Sequence, residues 1–184
     1  MHPLPHNAAL LVIDVPSDPR GAIRGGERNN PTMEQNIARL VQAWRASGRA
    51  VLEVAHESRW PGAPVHYSAF VGTSLEGELV RRGVGTLVLT GLATDRCVST
   101  TARLAANLGF VTYVVADATA TFERLGPDGR RHAAAAVHAI ALAELNGEFA
   151  TIVDTAAVLE ALCHAQPCPP TPGADVDTPI FQPV

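Results

Sequence analysis

The chain has 184 residues, the length of one domain of ordinary size. With 47% hydrophobic residues, 17% charged residues and a net charge of −4, it is too apolar for disorder and lacks the basic balance of a nucleic-acid binder. No apolar run approaches the length that spans a bilayer, and the N-terminus lacks the basic start and apolar stretch of a secretory signal. A cytoplasmic protein without membrane partners is therefore expected. Cys97, Cys163 and Cys168 are an odd count without zinc-ribbon spacing, so neither a disulfide framework nor a zinc finger is indicated. All 14 basic residues are Arg, which suits the usage of a high-GC genome. Whatever the cause, ammonium chemistry from a Lys side chain is absent.

Residues 8–15 form a continuous apolar run broken only by Asp14, the pattern of a strand buried on both faces of a parallel sheet. Residues 16–31 read as a loop, and Thr32 as the cap of a helix running to Arg49 with Ile37, Leu40, Val41 and Trp44 on one face. A second strand is expected at 50–55, an irregular segment at 56–67, a short helix at 74–82 and a third strand at 86–90. A helix at 95–108, a strand at 111–116, an Ala-rich helix at 132–146, a strand at 150–153 and a helix at 155–162 complete the series. This alternation predicts an α/β domain of three layers over residues 1–162, Rossmann-like, with a mostly parallel sheet flanked by helices. Residues 163–184 read as a Pro-rich C-terminal tail.

In an open parallel sheet, ligands bind beyond the carboxyl ends of the strands. Asp14 closes the first strand there, and Cys97 follows the third by a short loop, near the start of a helix. A helix N-terminus lowers a thiol pKa and offers free amides to an oxyanion, and a facing carboxylate can act as general base. The same residues also read as a strand-end Asp bonded to loop amides and a buried small hydrophobe.

Four blocks occur in order: Leu11-Val12-Ile13-Asp14, Ser68 to Glu76 (SAFVGTSLE), Gly91 to Ala102 (GLATDRCVSTTA) and Val114 to Ala118 (VVADA). Together they resemble the isochorismatase-like cysteine hydrolase family, which includes nicotinamidases and N-carbamoylsarcosine amidase. The later His132, His138, Glu148-Phe149-Ala150 and Thr155 resemble one branch of it. The resemblance implies Cys97 as nucleophile, Asp14 as its base and a cis Leu92–Ala93 peptide. It also implies that the backbone amides of Ala93 and Cys97 hold an oxyanion. The implied reaction is attack on an amide or related carbon, loss of ammonia or an amine, and hydrolysis of the thioester. Dimers or tetramers are the family's common assemblies, so a homo-oligomer is expected.

The departures are informative. The family's catalytic Lys falls at Pro64 in this chain, the segment between His56 and Ser68 is short, and Pro16 stands where a Gln is common. His66 and Arg59 are the candidate replacements for the Lys. A shortened loop leaves a more open pocket, for which His56, Arg59, Trp60, His66, Tyr67 and Phe70 are candidate lining residues, with plain packing the other reading of Trp60 and Phe70. The Asp-x-His arrangement by which nicotinamidases hold a metal is missing, so neither metal nor other cofactor is expected. Arg20, Arg24, Arg28, Arg59, Arg124, Arg130 and Arg131 lie in loops and read either as a carboxylate-binding set or as a solvated rim. The leading expectation is a cysteine-dependent hydrolase of a small amide or other C–N-bonded substrate. The alternatives are a catalytically silent binding or assembly protein, and a member repurposed for elimination, cyclisation or transfer.

Overall fold

The computed structural model describes residues 3–15, 28–55 and 66–163. In chain order the elements are β1 (Ala8–Ile13), α1 (Met33–Ala46), β2 (Val51–Val54), α2 (Leu75–Arg81) and β3 (Thr86–Leu92). One turn of π-helix (Thr94–Val98) leads into α3 (Ser99–Asn107) and β4 (Val111–Ala120). A small hairpin, β5 (Arg124–Leu125) and β6 (Arg131–His132), precedes α4 (Ala134–Leu145), β7 (Thr151–Val153) and α5 (Thr155–Cys163). The main sheet is parallel in the order β2-β1-β3-β4-β7.

Side-chain alternation along the central strands divides the core in two. Ala9, Leu11 and Ile13 of β1 join Leu87, Leu89, Leu75, Leu79, Val98, Ala102 and Leu145 under α2, α3 and α4. Ala8, Leu10 and Val12 point the other way, onto Met33, Ile37, Leu40 and Trp44 of α1 and Val158 and Leu162 of α5. This explains why the run from residue 8 is apolar at every position: both faces of β1 are covered. Trp44, fully buried, donates its indole N–H to the Ala8 carbonyl at 3.3 Å.

The expected alternation of elements is present, with boundary changes that have physical causes. Thr32 stands at the start of α1 but makes no side-chain cap, because its ψ of 7° turns it away from the extended geometry a capping hydroxyl uses. β3 runs past Thr90 to Leu92, and β4 past Ala116 to Ala120, through a register shift opposite Leu89 and Gly91. The polar Asp117 interrupts the apolar pattern of β4 because it serves two helices. Its carboxylate accepts from the Thr155 N–H and hydroxyl, both at 2.8 Å, and from Asn36 Nδ2 at 3.2 Å. Asp117→Ala is expected to cost about 1–2 kcal/mol, since α5 loses an N-terminal acceptor and α1 its tie to β4. A thermal melt should fall by several degrees, and an unchanged melt would mean that solvent satisfies those donors equally well. The Ala-rich helix begins at Ala134, not His132, because Arg131 and His132 are held in the hairpin. The proposed tail lies outside the described residues except for Cys163, which closes α5.

Candidate active site

In this strand order, the helices that follow β1 and β3 pack on opposite faces of the sheet, the arrangement in which strand carboxyl ends commonly receive a ligand. Asp14 leaves β1 with a φ of 50° and donates its N–H to the Val54 carbonyl at 2.8 Å. Asp tolerates this left-handed conformation better than most residues. On the neighbouring strand, the Leu92–Ala93 peptide is cis and leads directly into the π-helical turn that carries Cys97.

Cys97 is 8% exposed, and its thiol hydrogen-bonds to the Asp14 carboxylate, while the Ala93 N–H donates to the sulfur. Burial, and then the adjacent Asp14 charge and hydrogen bond, push the thiol up to about 12. The Ala93 amide and the Arg96 charge act in the opposite direction and are outweighed. The expectation of a thiol lowered by a helix N-terminus is thus corrected. The sulfur sits in a buried turn against a carboxylate, and its resting form is a neutral thiol.

The cysteine turn is clamped by residues for which sequence analysis named no such role. Asp95 accepts two hydrogen bonds from Arg124, at 2.8 and 2.9 Å, and one from the Thr121 hydroxyl. Burial alone would raise the Asp95 carboxyl, but these donors hold it below its ordinary value. Thr94, fully buried, shares a 2.9 Å hydrogen bond with His138 Nδ1 of α4. Its place in the family resemblance, and a polar side chain in the otherwise apolar first turns of an Ala-rich helix, were the available signals for His138.

Of the proposed lining residues, His56, Arg59 and Trp60 lie outside the described residues, as does Pro64 at the Lys position. His66 is exposed and lies against Gly72, and Tyr67 is also exposed. Phe70 stacks on Phe110, with centroids 5.9 Å apart, and packs on the core beneath α2 and α3. Its neighbour Ala69 donates its N–H to Thr101 Oγ1 of α3 at 2.9 Å, so this block is docked on the helix that follows the cysteine turn. Three of the loop arginines have internal carboxylate partners: Arg28 with Glu34, Arg124 with Asp95 and Arg131 with Glu123. Among the described residues, no three metal-ligating side chains come together and no helix is long and apolar enough to cross a membrane. A hollow of about 250 Å³ lies behind the turn, between Asp95, Ser99, Arg124 and α4; Cys97 and Asp14 do not line it.

Comparison with known proteins places the chain in a class this geometry suits. Residues 63–157 match the family model described as the isochorismatase domain. The isochorismatase family protein YrdC of Bacillus subtilis is 37% identical over 174 residues, which cover 80% of this chain and 91% of that protein. A solved isochorismatase-family structure from Chromobacterium violaceum superposes with a TM-score of 0.80 at 34% identity, covering 90% of this chain and 98% of its own. The ureidoacrylate amidohydrolase RutB of Methylobacterium radiotolerans is 38% identical over 96 residues, covering 52% of this chain and 33% of that enzyme. The chain belongs to the isochorismatase family, whose members include amidohydrolases.

Proposed function

We propose that the chain is a cysteine-dependent hydrolase of a small amide or other C–N-bonded substrate, with Cys97 as nucleophile and Asp14 as general base. The observation that carries this reading is the hydrogen bond between the Asp14 carboxylate and the Cys97 thiol at the carboxyl ends of adjacent strands. Because the resting thiol is neutral, Asp14 takes its proton as the sulfur attacks the carbonyl carbon. The Ala93 and Cys97 amides receive the resulting oxyanion. Collapse breaks the C–N bond, with Asp14 returning the proton to the leaving nitrogen, so that ammonia or an amine departs and a thioester remains. Asp14, again a carboxylate, then draws a proton from the water that attacks the thioester and passes it to the sulfur as the C–S bond breaks, releasing the acid and restoring the free thiol and the carboxylate.

The absent Lys and the high thiol value favour a second reading, binding of the same substrates without turnover. A panel of small primary amides, ureido acids and carbamoyl compounds, assayed for ammonia release with acid-quenched mass spectrometry of the Cys97 peptide, separates the two. Turnover with an acyl mass on Cys97 is expected. Saturable binding with neither ammonia nor a Cys97 adduct across the panel would establish the second reading.

A further inference from the structure

We propose that His138 is a positioning residue for the cysteine turn: from α4 it holds the buried hydroxyl of Thr94 and thereby keeps Cys97 against Asp14. The inference rests on the reading of Cys97 and Asp14 as a nucleophile and base pair. It stands on a part-buried chain of polar contacts with four anchors in different elements. Thr94 opens the π-helical turn between the Ala93 amide and Cys97, and it is fully buried, so its hydroxyl needs a protein partner. His138 Nδ1 is that partner at 2.9 Å. The ring's other edge meets the Ala116 carbonyl of β4 and, at 3.5 Å, the amide nitrogen of Asn30. Asn30 is itself fixed, donating to the carbonyls of Ala116 at 2.9 Å and Thr119 at 2.7 Å.

These partners select the protonation state of the ring. With both Asn30 Nδ2 hydrogens given to the Ala116 and Thr119 carbonyls, we assign the ring hydrogen to Nε2, which donates to the Ala116 carbonyl, and leave Nδ1 as the acceptor of the Thr94 hydroxyl. Burial holds the ring below its usual value, which keeps it neutral and Nδ1 free to accept. Asp95 is fastened separately to Arg124 and Thr121. Each half of the turn's first two residues therefore has its own anchor, and His138 supplies the one adjoining the Ala93 amide. A shift of the turn by about 1 Å would part sulfur from carboxylate and misplace that amide, a displacement that can cost about 100-fold in rate.

The test uses the full chain and iodoacetamide, with labelling of Cys97 read by mass spectrometry from pH 7 to 10 alongside the melting temperature. In the wild type, the rate should be slow and climb about tenfold per pH unit without a plateau. His138→Leu, which cannot accept a hydrogen bond, should release the thiol from Asp14 and raise the rate at pH 9 about tenfold. His138→Asn, whose side-chain oxygen replaces Nδ1, should restore the wild-type profile. Thr94→Val deletes the same bond from the other side at constant volume and should reproduce His138→Leu. It decides the matter even where His138→Leu does not fold. With a turned-over substrate in hand, both variants should lower kcat and leave KM nearly unchanged.

A lower melting temperature with an unchanged labelling profile in both variants would overturn the proposal, as would failure of His138→Asn to restore the profile. Asp14→Asn serves as the control for the underlying reading. If it leaves the profile unchanged, the nucleophile and base pair itself fails. If it accelerates labelling while Thr94→Val and His138→Leu do not, only the positioning role fails.

Discussion

Asp14→Asn is expected to make Cys97 easier to alkylate and at the same time to abolish hydrolysis. The two effects have opposite signs because the carboxylate acts on the thiol in two ways. In the resting state its charge and hydrogen bond stabilise the protonated sulfur, and with burial they push the thiol up to about 12. Replacing the carboxylate with a neutral amide removes that contribution and leaves burial in place, so the thiol falls part of the way toward its ordinary value. A fall of one unit multiplies the thiolate fraction about tenfold at any pH below the midpoint, and labelling by iodoacetamide should accelerate by that factor at pH 9. In the proposed mechanism, hydrolysis requires the same carboxylate to accept the thiol proton, return it to the leaving nitrogen and activate water. Loss of these transfers should lower kcat by about 10³-fold or more. Cys97→Ser should retain the fold and fall to background. Slower labelling in Asp14→Asn would overturn the assignment of a neutral thiol resting against a charged carboxylate.

Gly91→Ala should be the most damaging small substitution in the sheet. Gly91 has a φ of 111°, and a Cβ there would fall inside contact distance of the Ile13 carbonyl oxygen and 2.8 Å from the Ile13 nitrogen. Both obstacles are backbone atoms of the adjoining central strand, so neither can rotate away. Ile13 pairs with Gly91 in the ladder, and the next residue, Asp14, is itself held to Val54 through its N–H. Relief would therefore mean parting β1 from β3 where Asp14 and the cysteine turn diverge. We expect a loss of about 4 kcal/mol or more, a large fraction of what an ordinary domain possesses, and a melting temperature lower by about 10 °C or more. Gly83→Ala is the matched control. Its φ is 64°, but a Cβ there meets nothing within 4 Å, so only the backbone preference is lost, about 1 kcal/mol. Equal losses in the two variants would mean that the strand contact is not the cause.

The layered parallel sheet was legible because its signal is simple: strands covered on both faces are largely apolar, as residues 8–13 are throughout and residues 86–92 are apart from Thr86, Thr90 and Gly91. Asp14 was conspicuous as the charge ending the first run, and Cys97 as a thiol following the third. The thiol's electrostatics were not legible. They depend on a carboxylate whose sequence position is remote, and on burial that no local pattern reports. The extension of β4 was hidden by Asp117, a polar residue retained because it ties α1 and α5 to the strand. His138 was visible as part of the family resemblance, but its role was not, for a similar reason. Helical periodicity says which face a residue occupies, whereas its partners Thr94, Ala116 and Asn30 come from the turn, β4 and the segment before α1. The loop arginines show the limit of composition, since it cannot report that Arg28, Arg124 and Arg131 each have a carboxylate partner within the chain.

The lengths of the strands bear on how the protein behaves when concentrated. Among the described residues, the long members of the sheet are interior, while the outermost strands, β2 and β7, span 4 and 3 residues, and β2 carries the exposed Glu53. An outer strand that short offers too few unpaired amides and carbonyls to recruit a strand from another molecule, and a charge on it adds repulsion. Association through edge-to-edge sheet growth is thereby disfavoured in the native state. Solutions should stay clear until the molecule opens, and turbidity on heating should follow the unfolding transition instead of preceding it.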